Sequence, residues 1–404
     1  MNLPKPQKER LSLNTCLILL CVFLAALNIF NRYYYFTFIA FFLFVVKPNR
    51  KFYLSPSSLA LLLLGAFWAI FSPYTSASVF GIVKPFSYLL CFVMGLGLSD
   101  DAKLAEGETV SFNIFYKLAI VLGGGTLFHY FLNWITNLDV SSSIDRNTID
   151  IWTNEPLAAT GQATLACIPL ALAIAALFAP IAKKWKVVAS GTLLIILVYN
   201  LVLAGRTLIL LTIITLGVAL LFTLIVKPTG KIKTLVICLA LVILLGSLYI
   251  GNFFGIRSLV ESSPFYDRFF TENSMDIDTD YRLDRKLFYF QNMHKYPFGG
   301  AHIRAQRGYS HDLFFDSYDE AGIFAFLPLI FYMIASLIHF IRAITAKHLP
   351  FSFRLTVFCL YLVLYMQFWL EPILQGCAWL FASFCFLDGY VTRVLAATKP
   401  TRHV

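Results

Sequence analysis

Long runs of apolar residues dominate the chain, and short polar segments separate most of them. A helix that crosses the hydrocarbon core of a bilayer needs on the order of 20 such residues. About twelve runs approach that length, so the pattern predicts an all-α polytopic membrane protein. The predicted spans are roughly 12–31, 33–47, 55–72, 77–98, 111–133, 159–182, 187–204, 207–226, 234–251, 322–342, 350–369 and 373–392.

Two connections between these runs are much longer than the others, at about 134–158 and 252–321. Long loops in compact proteins are more often functional than idle. We therefore divide the chain into residues 1–251 with nine spans, the loop region 252–321, and residues 322–404 with three spans and a tail.

Part of the loop region has the spacing of an amphipathic helix. Leu283, Leu287, Phe290 and Met293 recur every three or four residues, after a start that is rich in aspartate. The stretch ends at Pro297, and proline and glycine commonly stop helices.

Composition agrees with membrane insertion, because 59% of the residues are hydrophobic and only 13% are charged. The formal net charge of +10 collects in the segments that are cytoplasmic when the N terminus is placed inside, as the positive-inside rule requires. The charge therefore predicts the topology, with both termini in the cytoplasm, and not a nucleic-acid partner. The cytoplasmic cations are Lys5, Lys8, Arg10, Lys47, Arg50, Lys51, Lys103, Lys183, Lys184, Lys186, Lys227, Lys231, Lys233, Arg342, Lys347, Arg354, Arg393, Lys399 and Arg402.

The sequence gives little support for chemistry based on metals, disulfides or nucleotides. All eight cysteines fall within predicted spans, and neither a Cys-x-x-Cys pair nor a His/Cys group with zinc spacing occurs. The glycine-rich stretch "LGGGTLF" lies inside a predicted span, where close helix packing explains it better than phosphate binding. We expect no metal and no cofactor.

Arg206, in "NLVLAGRTLILL", stands between two apolar runs with almost no loop. An arginine near lipid is costly unless it is paired or faces water. It is either a snorkelling residue in a tight turn or a cation that points into a cavity. The second possibility suits a phosphate ligand, because the guanidinium fork binds phosphate oxygens bidentately.

Arg282 and Arg285 lie in the first turn of the predicted amphipathic helix, where cations oppose the helix dipole. Either an anionic ligand or the neighbouring Asp278, Asp280 and Asp284 could compensate them.

His311 follows, in "SHDLFFDSYDEAG", and fits one helical face with Phe314, Phe315, Tyr318 and Gly322 that leads into the tenth span. Histidine is the usual proton acceptor near neutral pH. A structural role at the membrane boundary is the alternative.

Four further cations are weaker candidates for contacts to phosphate groups: Arg285, Arg304, Arg307 and Lys84. Lys84 is placed within the fourth predicted span next to Pro85, and Glu155 could face the same cavity as the arginines.

Cations and one base, without metal ligands or a nucleotide loop, suit transfer from a phosphate-activated donor. Arginines would hold a pyrophosphate and stabilise the charge that develops as it leaves. A histidine would accept a proton from the attacking hydroxyl. Nucleotide sugars are not expected outside the cytoplasm, which favours a lipid-linked donor.

Three motifs together resemble the O-antigen ligases, which belong to a wider ligase/polymerase superfamily. "AGRTL" is similar to the family's arginine after the seventh span, Arg206. Arg282 is followed fifteen residues later by Pro297, and His311 eleven residues later by Gly322, as in the family. Asp312 departs from the family's commoner asparagine at that position.

This resemblance, which covers most of the chain, implies a metal-independent, inverting glycosyltransferase of the C type in the bacterial inner membrane. The implied donor is O-antigen on undecaprenyl pyrophosphate, and the implied acceptor is the lipid A–core oligosaccharide. By analogy, Arg206 and Arg282 bind the pyrophosphate and His311 activates the acceptor, on the periplasmic side.

Three alternatives stay open. An O-antigen polymerase would use the same donor, and a protein-glycosylating relative usually carries a longer C-terminal portion. A transporter or flippase, with Lys84, Lys117 and Arg206 along a pathway, would be expected to show paired half-repeats with broken spans, and the sequence shows none.

Overall fold

The fold is described from a computed structural model of the chain. The described residues are 12–47, 52–72, 81, 83–98, 112–138, 147–226, 230–263, 266 and 278–398. Predictions that fall on other residues lie outside this part of the chain. The side chains of Asp278 and Asp280 are also outside the description, although their backbone belongs to a described helix.

The described part of the chain folds almost entirely into helices. The first ten are α1 (Leu13–Ala26), α2 (Tyr33–Val46), α3 (Pro56–Phe71), α4 (Phe86–Leu98), α5 (Phe112–Thr136), α6 (Ala159–Phe178), α7 (Lys183–Val202), α8 (Arg206–Val226), α9 (Lys231–Ile250) and α10 (Ile256–Glu261). The others are α11 (Asp278–Asn292), α12 (Ala301–Arg307), α13 (Leu313–Thr345), α14 (Phe351–Leu370), α15 (Ile373–Gly376) and α16 (Ala378–Ala397). Short 3₁₀ turns cover Ile29–Asn31 and Phe253–Gly255.

Seven helices of the described part of the chain are long and apolar enough to cross a membrane: α5, α6, α7, α8, α13, α14 and α16. The apolar helices α1 to α4 are shorter. The protein is therefore an all-α polytopic membrane protein.

Glycines allow close contact between helices α4 and α16. A Cβ on Gly95 of α4 would lie 2.2 Å from the carbonyl oxygen of Phe386 in α16, and one on Gly389 would lie 2.1 Å from that of Phe92. Small residues permit such backbone approach in lipid, where van der Waals packing drives helix association. Bulky aromatic side chains such as Tyr332 fill the core around this contact.

A polar cluster ties three helices together inside the bundle. The fully buried Asp388 of α16 accepts a hydrogen bond from Tyr361 of α14 at 2.7 Å and lies 3.2 Å from His339 of α13. An ionisable side chain at membrane depth almost always faces the protein interior and has such partners.

One end of the bundle, here called the loop end, contains the helix termini that the long connections join. Trp134 of α5 stacks on Tyr199 of α7 at 5.4 Å, and Gln367 of α14 donates to Thr164 of α6 at 2.7 Å. Phe314 of α13 meets Trp369 of α14 at 5.6 Å. The loop end therefore contains the C termini of α5, α7 and α14 and the N termini of α6, α8 and α13.

Candidate active site at the loop end

His311 lies in a turn, residues 308–312, that precedes α13. Its φ of +58° places it in the left-handed region, and Gly308 has a φ of +76°. Helix α13 begins at Leu313, with Asp312 as its N-cap accepting from the Phe315 N–H at 2.8 Å. The predicted single helical face from His311 to Gly322 is therefore wrong. A non-glycine residue at positive φ is strained, and such strain persists only where surrounding contacts fix the backbone.

Helix α11 supplies those contacts from one side. Arg285 donates to the carbonyl oxygen of Tyr309 at 3.2 Å, and the Tyr289 hydroxyl donates to that of Gly308 at 3.0 Å. The ammonium of Lys286 lies 3.4 Å from a carboxylate oxygen of the buried Asp312. Side chains from two neighbouring turns of α11 thus hold both ends of the His311 turn.

The same helix also binds the C terminus of α14. Arg282 donates to the carbonyl oxygen of Leu370 at 3.0 Å, and Lys286 donates to that of Trp369 at 2.7 Å. The last carbonyls of a helix have no partner within it and carry the negative end of the dipole, so cations are favourable there. The end of α14 therefore compensates Arg282. Asp284 instead lies 3.8 Å from Arg307, and both are exposed.

Glu371, the residue after α14, adds an acidic group to this contact. Its carboxylate lies 3.8 Å from Arg282 and its side chain is 6% exposed. Burial raises the pKa of Glu371 to about 7, although Arg282 opposes the shift. Burial likewise raises the pKa of Asp312, and Lys286 opposes that shift.

Acidic residues in the first turns of α13 fasten the short helix α15. Asp316 accepts from the Leu374 N–H at 2.9 Å, while Lys84 donates to the Leu374 carbonyl oxygen at 2.6 Å. Asp319 accepts from Gln375 at 3.3 Å and lies 3.2 Å from the Tyr289 hydroxyl. Lys84 lies in a turn before α4, and its ammonium donates one hydrogen bond to the backbone of α15.

The two motifs of the loop region meet at a break in α13. Ala321 and Gly322 have non-helical backbone angles, and Gly322 has a φ of +64°. The Ile323 N–H donates to the Pro297 carbonyl oxygen at 2.9 Å. A Cβ on residue 322 would lie 2.0 Å from that same oxygen. Pro297 and Gly322, the last residues of the two motifs that begin at Arg282 and His311, are thus in contact with each other.

Arg206 is the first residue of α8, at the loop end. The turn before it is closed by Asn200, whose side-chain amide donates to the Gly205 carbonyl oxygen at 2.7 Å. Ala204 has a φ of +49° within the turn. Arg206 is half-buried. The structure thus places Arg206, Arg282 and His311 at the same end of the bundle.

Arg304 and Arg307 of α12 lie near the edge of the site. The Arg304 guanidinium stacks over the Tyr309 ring at 5.3 Å, and that of Arg307 lies over Phe288 at 5.0 Å. Arg307 is exposed, whereas Arg304 is half-buried.

The sequence pattern did not single out Lys286, Tyr289 or Asp150, which the structure places in polar contacts at the loop end. Lys286 lies one turn after Arg282 in the predicted helix, and this spacing indicates that the two side chains share one face. A second polar network at the loop end joins α5 to the hairpin of β1 (Asn147–Ile149) and β2 (Pro156–Ala158). Its centre is Asp150, 2.7 Å from His129, with Asn133 at 3.3 Å. Glu155 is exposed in this hairpin.

Within the described residues, no group of three His, Cys, Asp or Glu side chains is placed to hold a metal ion. No family model matches the chain, and no curated protein matches it.

Proposed function

We propose that the protein is an O-antigen ligase of the bacterial inner membrane. It transfers O-antigen polysaccharide from undecaprenyl pyrophosphate to a hydroxyl of the lipid A–core oligosaccharide. The observation that carries this proposal is the attachment of the His311 turn to α11, the helix of Arg282. A base on a strained, fixed backbone beside cations at one end of a membrane bundle suits acceptor activation next to a diphosphate.

In the proposed reaction, His311 removes the proton from the acceptor hydroxyl as its oxygen attacks the anomeric carbon of the donor sugar. The new glycosidic bond forms on the face opposite the leaving group, so the configuration inverts. The bond between that carbon and the pyrophosphate oxygen breaks, and the electron pair leaves with undecaprenyl pyrophosphate. Arg206 and Arg282 stabilise the developing charge.

The contacts of Arg282 leave capacity for this role. A guanidinium has five N–H donors, and one of them is used by Leu370. Its side chain is 28% exposed. Arg285, Arg304, Arg307 and Lys84 are proposed at lower rank as contacts to the donor or to core phosphates.

Lipopolysaccharide from a deletion strain tests the proposal against its nearest alternative. A ligase predicts core without O-antigen and accumulation of long lipid-linked polymer. Core that carries a single repeat would instead identify an O-antigen polymerase, which shares the donor and differs in the acceptor.

Complementation of that strain tests the residues. We expect His311→Ala and Arg282→Ala to reduce transfer by about 100-fold or more, as is typical for loss of a general base or of charge stabilisation. His294→Ala is the matched control, because His294 is an exposed histidine of the same loop region. Transfer at the wild-type rate by both site variants would refute the assignment.

A further inference from the structure

Helix α11 exposes an apolar stripe that nothing in the described part of the chain covers. Leu283 is 57% exposed, Leu287 49% and Phe290 67%. These three residues follow the i, i+4, i+7 spacing of one helix face. The cations of the same helix, by contrast, point into the protein, where Arg282 and Lys286 bind the end of α14.

The stripe separates the docked side of α11 from its polar side. At about 100° per residue, it lies roughly a quarter turn from Arg282 and Lys286. The exposed residues Asp284 and Gln291 lie roughly a quarter turn beyond it on the other side. The helix therefore presents, in order around its axis, a protein-bound face, an apolar face and a polar face.

The contact between α11 and the C terminus of α14 fixes the depth of α11 relative to the bilayer. Helix α14 is a candidate membrane span of 20 residues. Its length of about 30 Å equals the thickness of a hydrocarbon core. Because Arg282 and Lys286 bind its last carbonyls, α11 lies where α14 leaves that core.

The surroundings of Trp369 support this depth of α11 at the edge of the hydrocarbon core. Its side chain is 58% exposed, and the Lys286 ammonium lies over its ring at 4.8 Å. Tryptophan is enriched at membrane–water interfaces, where its ring meets both apolar and polar surroundings.

We propose that α11 is an interfacial helix whose Leu283–Leu287–Phe290 stripe inserts among the acyl chains of the leaflet at the loop end. Asp284 and Gln291 face the headgroups and water. An amphipathic helix with this arrangement lies in the plane of the interface with its apolar face buried. The proposal does not depend on the enzymatic function.

Site-specific photo-labelling tests it. A genetically encoded diazirine amino acid replaces Leu287, or Phe290 if the first variant does not fold. The full-length protein is placed in nanodiscs of phosphatidylethanolamine and phosphatidylglycerol without polyprenyl lipid. The neighbouring exposed Gln291 is the matched control, and Ile213, which is 63% exposed on α8, is the positive control.

We expect phospholipid adducts at Leu287 or Phe290 to exceed those at Gln291 by about fivefold, close to the yield at Ile213. Equal yields at the stripe and at Gln291, with efficient labelling at Ile213, would overturn the proposal. Adducts mainly to a second copy of the chain would overturn it as well, because the stripe would then be a protein interface.

Discussion

Asp312 combines two interactions that single substitutions can separate. Its carboxylate caps α13 through the Phe315 N–H and pairs with Lys286. Asp312→Asn keeps an acceptor for the cap, whereas Asp312→Ala removes it and costs about 1 kcal/mol more. We expect the thermal midpoint in detergent to fall further for the alanine variant. Equal losses would show that the cap contributes nothing.

Lys286→Met leaves the buried carboxylate of Asp312 without its cation. Removing one member of a buried pair is strongly destabilising, because the other charge stays uncompensated. Adding Asp312→Asn should recover part of the lost midpoint, which gives a double-mutant cycle with a positive coupling. Strictly additive losses would contradict the pairing.

Glu371 makes stability depend on pH. Its pKa rises from an ordinary 4.5 to about 7 because it is buried. A carboxyl whose pKa is raised on folding favours the folded state fully below pH 4.5, and this contribution is lost as the pH rises through 7. The contribution is at most about 3 kcal/mol.

Glu371→Gln should therefore flatten the curve of thermal midpoint against pH between pH 5 and pH 8. The other buried acids remain in both proteins, so the difference between the two curves isolates Glu371. Parallel curves would mean that Glu371 is ionised throughout this range.

The sequence singled out Arg282 as a candidate site residue but did not indicate its partner. The carbonyl of Leu370 that it binds lies 88 positions away in the chain. The nearby aspartates were the only partners that local spacing could suggest. The left-handed backbone of His311 could not be predicted from the sequence either. The spacing that indicates a helical face also occurs in residues that lie just outside a helix.

The hairpin of β1 and β2 is held to α5 as one element by Asp150. Burial alone would raise the pKa of Asp150, but His129 and the Thr153 N–H lower it to about 2. The stabilisation is present above its ordinary pKa of 3.8 and is lost as the pH falls through 2. At neutral pH Asp150 therefore accepts these hydrogen bonds as a carboxylate.

Asp150→Asn should lower the free energy of unfolding by about 2–3 kcal/mol at pH 7, because it weakens charge-assisted hydrogen bonds at a buried site. Glu155→Gln is the control, since Glu155 is exposed and its backbone carbonyl is what accepts from the Asp150 N–H. Similar midpoints for the two variants would contradict the role of Asp150.

Apolar run length predicted the existence of helices better than their ends. The predicted 207–226 and 350–369 lie within one residue of α8 and α14 at each end. The predicted 12–31 breaks after α1, because Asn28 and Phe30 adopt left-handed backbone angles. Helix α13 begins nine residues before the predicted 322, since its polar first turns are stabilised by contacts to α11 and α15 and not by lipid.

Three of the cations that the positive-inside rule assigns to the cytoplasm share one end of the bundle. Lys184, Arg342 and Arg354 lie at the end opposite the loop end, because α7 and α14 begin there and α13 ends there. This grouping agrees with the positive-inside pattern, and the side of the membrane that each end faces follows from that rule as a prediction. Three candidate spans, α13, α14 and α16, separate the loop region from the C-terminal tail.

An odd number of crossings puts the loop region and the tail on opposite sides. Alkaline phosphatase should therefore be active when fused after Ser262 and inactive when fused after Thr398, whereas a green fluorescent protein should show the reverse. Phosphatase requires the oxidising side of the membrane to form its disulfides. Activity of both phosphatase fusions would require an even number of crossings, and one of the three helices would then not span. It would also separate the tail from the cytoplasm and so remove the charge argument on which the proposed periplasmic site depends.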